Sequence, residues 1–191
     1  MKILIIIILP VIYTYRTRKA LKKRQKQVNE EWDKVDSILK TRNDIIPELV
    51  KVTEKYLNEE TINNINNTRK DLLISKTRGE KIINSNKLTS ELGYLFSITE
   101  DYIPLKENSE FLDIQSKLHD TEDQLLKTKK KYNSNVINYK KKVKRFPSNI
   151  VAYIFKFKPT VIFEDAPKKE IKNMASNAEI EKVEVLEFKQ F

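Results

Sequence analysis

Between Phe111 and Phe146 the apolar positions recur in steps of three and four: Phe111, Ile114, Leu118, Thr121, Leu125, Thr128, Tyr132, Val136, Tyr139, Val143 and Phe146. That spacing holds one stripe on one side of a continuous α-helix, about 54 Å long at the usual rise per residue. No Gly or Pro falls between Asn108 and Arg145. Asn108 or Ser109 is placed to cap the start, with Glu110 favourable beside the positive helix end. Pro147 ends the pattern by forcing Phe146 out of the helical region. So narrow an apolar face needs neighbours, so the other elements are expected to be helices laid along it.

The rest of the chain supplies them. Leu21, Val28, Trp32, Val35 and Ile38 or Leu39 form a stripe on a first helix expected to close near Thr41. Pro47 suits the first turn of a second helix, capped by Asp44, with Leu49, Val52, Tyr56, Ile62, Ile65, Arg69 and Leu72 along it. The brief connection between the two predicts an antiparallel turn. Residues 75–88, which include Gly79, Ser85 and Asn86, read as a loop or frayed helix end. A third helix is expected over residues 89–101, with Leu92, Leu95, Phe96 and Ile98 inward and Pro104 after it. The fold class is therefore all-α: an elongated antiparallel four-helix bundle with an N-terminal membrane anchor helix.

Past the long helix, Ser148 or Asn149 is placed to cap a short amphipathic helix over residues 150–155. Ile150, Tyr153, Ile154, Phe155, Phe157, Ile162 and Phe163 either fold back on the bundle or expose a patch for a partner or bilayer; folding back is the expectation. Residues 164–182 read as disordered, and residues 183–191 (VEVLEFKQF) alternate like a strand with nothing to pair with.

Charge divides the molecule. Residues 1–29 carry eight Lys or Arg and no acid, residues 124–163 carry eleven and no acid, and acidic residues outnumber basic ones elsewhere. Residues 3–15 (ILIIIILPVIYTY) are apolar apart from Thr14. As a helix they span about 20 Å, against about 30 Å of bilayer hydrocarbon. A single Lys2 precedes the run and seven basic residues follow it, with no small-residue cleavage site, which reads as an uncleaved anchor with the following domain on the cytoplasmic side. A cleaved signal or a surface-lying segment is the alternative. Three segments result: 1–27 as anchor and basic juxtamembrane stretch, 28–163 as the bundle, and 164–191 as a flexible tail.

A set of short motifs then appears in order: Glu31-Trp32 through Asp36; Arg42-x-Asp44-x-Ile46-Pro47-x-Leu49-Val50; Thr68-Arg69; Asn108 and Phe111; Tyr132-Asn133; Arg145-Phe146-Pro147-Ser148-Asn149; and Phe155-x-Phe157-Lys158-Pro159. Over residues 28–163 the chain resembles the LemA family. The resemblance implies a membrane-tethered helical bundle and brings no reaction with it. Glu48 stands where the family usually has Asn, the apolar run is shorter than usual, and the tail beyond Phe163 is longer.

Candidate chemistry is sparse. Cysteine is absent and His119 is the sole histidine, which removes thiolate and multi-histidine metal sites. Position 116 is Ser, so no Glu-x-x-His pair forms. Glu59-Glu60, Glu100-Asp101 and Glu122-Asp123 read as solvated faces, since helical neighbours point apart. No cofactor, metal or enzymatic activity is expected. Arg42 and Asp44 are expected to pair at one bundle end, and Arg69 needs a partner on the apolar side of helix two. Arg145 is expected at the same end as the 42–47 turn. Arg42, Asp44, Pro47, Arg69, Arg145, Phe146, Pro147 and Asn149 are thus the candidate interaction residues. Two functions remain open: a membrane-held module that presents its surface to a protein partner, or nucleic-acid or anionic-lipid binding through Lys129, Lys130, Lys131, Lys140, Lys141, Lys142 and Lys144.

Overall fold

The computed structural model describes residues 2–163, with side chains from Ile8 onward. The expected disorder of 164–182 and the strand-like 183–191 lie outside the described residues. Among the described residues there is no strand. The helices are α1 (Lys2–Thr53), α2 (Glu59–Ile74), α3 (Arg78–Thr99), α4 (Ile103–Lys106), α5 (Ser109–Lys144) and α6 (Ser148–Ile154). They gather into two compact units. The described part of the first is residues 2–52 and Glu107–Phe163, and that of the second is Thr53–Lys106.

The first unit is built on α1 and α5. The Arg42 Nη1–H donates to Glu122 Oε2 at 2.7 Å, and the Trp32 and Tyr132 rings lie 5.3 Å apart, centroid to centroid. From Arg42 to Trp32 the chain steps back by as many residues as it steps forward from Glu122 to Tyr132, so the two helices run antiparallel in one register. Extending that register sets Leu39 across from Leu125, Val35 from Lys129, Val28 from Val136 and Leu21 from Val143, and all eight are buried.

The turn expected at residues 42–47 is absent: α1 runs on through Pro47 to Thr53. The reason lies in the seam. Leu39, Arg42, Ile46 and Leu49 continue the same three-and-four spacing and are all buried, while Pro47 faces outward. An interior proline costs about 3 kcal/mol, and burying Ile46 and Leu49 returns about 2 kcal/mol each. The first corner of the fold therefore falls at residues 54–58. There the Thr61 N–H donates to Asn58 Oδ1 at 2.8 Å, and Glu59 and Glu60 occupy the positive first turn of α2.

Within the second unit, α2 and α3 pack together through Ile65, Thr68 and Leu72 on one side and Ile82, Ser85, Leu88, Glu91, Leu92 and Leu95 on the other. The start of α3 corrects the expected loop at 75–88. Thr77 and Glu80 form a reciprocal capping box, with the Lys76 and Thr77 N–H groups donating to Glu80 Oε2 at 2.8 and 3.2 Å. Those two backbone bonds hold the Glu80 carboxyl below its usual range. The cap nucleates the helix well before the point that the apolar pattern alone suggests.

The long helix begins as expected, with the Phe111 N–H on Asn108 Oδ1 at 3.0 Å. Its buried stripe matches the predicted one except at two places. Lys129 is buried in place of Thr128, with its ammonium 4.3 Å from the centre of the Phe163 ring. Phe146 stands outside the helix and exposed. The helix α6 starts at Ser148 with Pro147 before it and no side-chain cap, so neither Ser148 nor Asn149 plays that part. It closes on Lys156, which takes the left-handed conformation at φ 56°. The Phe157 N–H reaches Ala152 O at 2.8 Å and the Lys156 N–H reaches Tyr153 O at 3.1 Å, the paired bonds of a Schellman ending. That reversal sends residues 157–163 back along α5. There Asn133 exchanges two 2.8 Å hydrogen bonds with the backbone of Phe163, and the Tyr132 hydroxyl donates to Val161 O at 2.8 Å.

Candidate interaction site

Within the first unit, the 42–47 segment and Arg145, expected from sequence at one bundle end, lie apart. Arg42 is 1% exposed and lies in the α1–α5 seam. Its carboxylate partner is Glu122, not Asp44, which faces solvent. An α-helix turns by about 100° per residue, so two positions so close in one helix point apart. Burial pulls the Arg42 guanidinium below its ordinary value while Glu122 pushes it back up. Glu122, read from sequence as part of a solvated pair, is thus half-withdrawn from water to meet it.

Arg145 caps the far end of α5. Between Glu122 and Arg145 the helix advances about 35 Å, so the Arg42 region and the Arg145 region stand at well-separated levels of the first unit. Pro47 is exposed on α1, and Arg69 is half-buried on α2 in the second unit. Within the first unit, Arg145, Phe146, Pro147 and Asn149 lie together at the α5–α6 corner, and all four are exposed. The Asn149 side chain accepts from the Ile150 N–H at 2.9 Å.

That corner meets a second feature. Residues 8–15 of α1 present Leu9, Val11 and Tyr15 with 61%, 63% and 67% of their surfaces exposed. Among the described side chains of α1, burial begins at Thr17 and Leu21, just where the apolar run ends. Two contacts lay α6 beside this boundary. The Tyr13 hydroxyl interacts with Thr17 and Ser148, and the Arg18 guanidinium sits 4.4 Å from the centre of the Phe155 ring. The short helix is two-sided: Val151 and Ala152 are buried, whereas Ile150, Tyr153 and Ile154 face outward. Of the residues expected to fold back, Phe163 is buried and Phe157 and Ile162 are half-buried, whereas Ile150, Tyr153, Ile154 and Phe155 stay exposed.

Among the described residues no group of three or more His, Asp or Glu is placed to hold a metal ion, and His119 is exposed on α5. A shallow depression on α5 is lined by Glu31, Lys130, Lys131, Ser134 and Asn135. Of the lysines proposed for phosphate contact, Lys129 is withdrawn into the seam, and Lys130, Lys131, Lys141 and Lys144 stay exposed. Sequence reasoning missed Glu122 because its partner lies on another helix. It missed the role of Lys129 because a lysine does not count as apolar.

A long antiparallel helix pair, closed by an extended return segment and joined to a second helical unit, defines an all-α helical domain. The chain belongs to the LemA family, whose sequence model matches residues 31–176. The match opens just before Trp32 and does not include the apolar run. No curated protein matches the chain.

Proposed function

We propose that this is a membrane-attached helical module of the LemA type that works by contact and not by catalysis, with its helical domain on the cytoplasmic side. One observation carries the reading. The large apolar side chains at residues 8–15 stay exposed, with only the Tyr13 hydroxyl engaged by the fold, and burial among the described side chains starts at Thr17. Seven basic residues and no acid follow within residues 16–26, the charge pattern of a cytoplasm-facing flank that also rests on anionic headgroups. Among the described residues no helix is long and apolar enough to cross a membrane; the apolar run of residues 3–15 is shorter than the bilayer core, and local thinning or an interfacial orientation would accommodate it. The partner in this reading is a protein bound by the exposed helix faces. Cell fractionation followed by salt and carbonate washes tests attachment: retention in the pellet is expected, and release by carbonate overturns a spanning anchor.

The exposed lysines of α5 favour a second reading, in which that face binds nucleic acid or anionic lipid. Salt-dependent retention of the full chain on duplex DNA, compared with retention on anionic vesicles, decides between them.

A further inference from the structure

We infer that α6 is a second lipid-contacting element, lying in the headgroup region of an anionic bilayer beside the apolar stretch of α1. This rests on the membrane reading above and adds a surface to it. Two contacts set the level of α6 along α1. Ser148 at the start of α6 meets Tyr13, and Phe155 just past its end meets Arg18. The short helix therefore spans the levels of α1 at which the apolar run gives way to basic residues. If residues up to Tyr15 enter the bilayer, α6 is held at the boundary between acyl chains and headgroups.

Its outward face suits that depth. Tyr153 is 87% exposed and Phe146 is 74% exposed, with Ile150 and Ile154 beside them. Aromatic rings with a polar edge favour the headgroup level, and aliphatic side chains the layer beneath. An apolar cluster of this kind on a water-facing surface needs an occupant. The surrounding charge selects which. Exposed Lys141, Lys144, Arg145, Lys156 and Lys158 lie within a few residues of the cluster along the chain, Arg16 and Lys19 are exposed on α1 next to Arg18, and residues 124–163 contain no acid. Basic residues before and after an apolar cluster complement an anionic membrane surface. The inward face, through Val151 and Ala152, and the Schellman ending at Lys156 fix the helix in place, so the cluster is presented ready-formed.

The chain has no cysteine, so single cysteines can carry an environment-sensitive fluorophore. The full chain is reconstituted with phosphatidylcholine vesicles containing phosphatidylglycerol, with labels at Tyr153→Cys, Ile12→Cys and, on the remote part of α5, Asp120→Cys. Circular dichroism checks that each variant folds. Emission from the labels at 12 and 153 is expected to rise severalfold and to be quenched by a lipid-borne nitroxide, with no change at 120. A rise at 12 without one at 153 overturns the α6 proposal and leaves attachment standing. No rise at either overturns both. A rise at 153 that depends on protein concentration and needs no vesicles assigns the patch to self-association and overturns the lipid contact.

Discussion

Both units lower a charged side chain into a packed face, and they handle it differently. In the first unit one such group, apart from Lys129 on the Phe163 ring, is the Arg42 guanidinium, which keeps its proton across the ordinary pH range and is met by the Glu122 carboxylate at 2.7 Å. In the second it is the Glu91 carboxylate on α3. One of its oxygens accepts from the Thr68 hydroxyl at 2.8 Å and lies 3.8 Å from Lys87 Nζ. Its other oxygen has no hydrogen-bond partner among the described residues. A group that cannot shed its charge requires a counter-ion, whereas one that can accept a proton is free to sit in a weaker cradle. The first arrangement is a fixed element of register, and the second is sensitive to pH.

The largest effect expected is from removing the fixed charge. Arg42→Ala should lower the unfolding free energy of the first unit by about 3 kcal/mol, the scale of breaking a buried pair. Trp32 is the sole tryptophan and lies in this seam, so its fluorescence in a denaturant titration reads the unit directly. A loss under about 1 kcal/mol, the scale of a surface pair, would show that the pair is not part of the seam. Glu122→Gln should cost less, about 2 kcal/mol. The Glu122 side chain is 39% exposed, so the amide can still accept one bond and water can help to solvate the guanidinium. If Glu122→Gln proved the more damaging of the two, the cost would come chiefly from stranding the buried cation and not from losing the packing of its stem.

Two tyrosines sharpen the contrast within the first unit. Tyr132 and Tyr139 lie on the same buried stripe of α5, two turns apart. The Tyr132 hydroxyl donates to Val161 O and ties down the return segment. The Tyr139 hydroxyl is buried without a hydrogen-bond partner among the described residues, and burial pushes it above the usual phenol range. Tyr132→Phe should therefore destabilise by about 1 kcal/mol, while Tyr139→Phe should stabilise by a similar amount. The same denaturant titration compares them. Equal changes would mean that the hydroxyls do not differ in how well they are satisfied.

The stripe of α5 was legible because its apolar residues recur at helical spacing and nothing interrupts them. The stripe of α1 was legible for the same reason as far as Leu39. Beyond it, Pro47 looks in the sequence like a stronger signal than Ile46 and Leu49, whereas in the folded chain the seam decides and the proline turns outward. The early start of α3 rests on the Thr77–Glu80 capping box, a polar signal present in the sequence but masked by the neighbouring Gly79. The Arg42–Glu122 pair was not legible at all, since joining positions eighty residues apart requires the register of two helices. The α5–α6 corner was half legible: Pro147 marked it, but the reversal at Lys156 uses a left-handed residue where glycine would be the usual sign.

The smallest effect expected is the most diagnostic of the second unit. Burial raises the Glu91 carboxyl above its ordinary value, the Thr68 bond and Lys87 oppose the rise, and Asp71 adds to it. A folded carboxyl with a raised value binds its proton more tightly than the unfolded chain does. Its contribution to stability is therefore greatest in acid and declines as pH rises from the unfolded value through the folded one, levelling off above it. This is opposite in sign to the usual salt-bridged carboxylate. Glu91→Gln should abolish that slope and change stability at neutral pH by no more than about 1 kcal/mol, since the amide oxygen can still accept from Thr68. Thermal melts followed by circular dichroism, for both proteins from about pH 4, near the unfolded carboxyl value, up to about pH 8, give the difference directly, with the contributions of all other groups cancelling. A difference that is flat across that window, or one in which the parent chain gains relative stability as pH rises, would mean that Glu91 is held as a stabilised anion, and that the two units treat their buried charges alike.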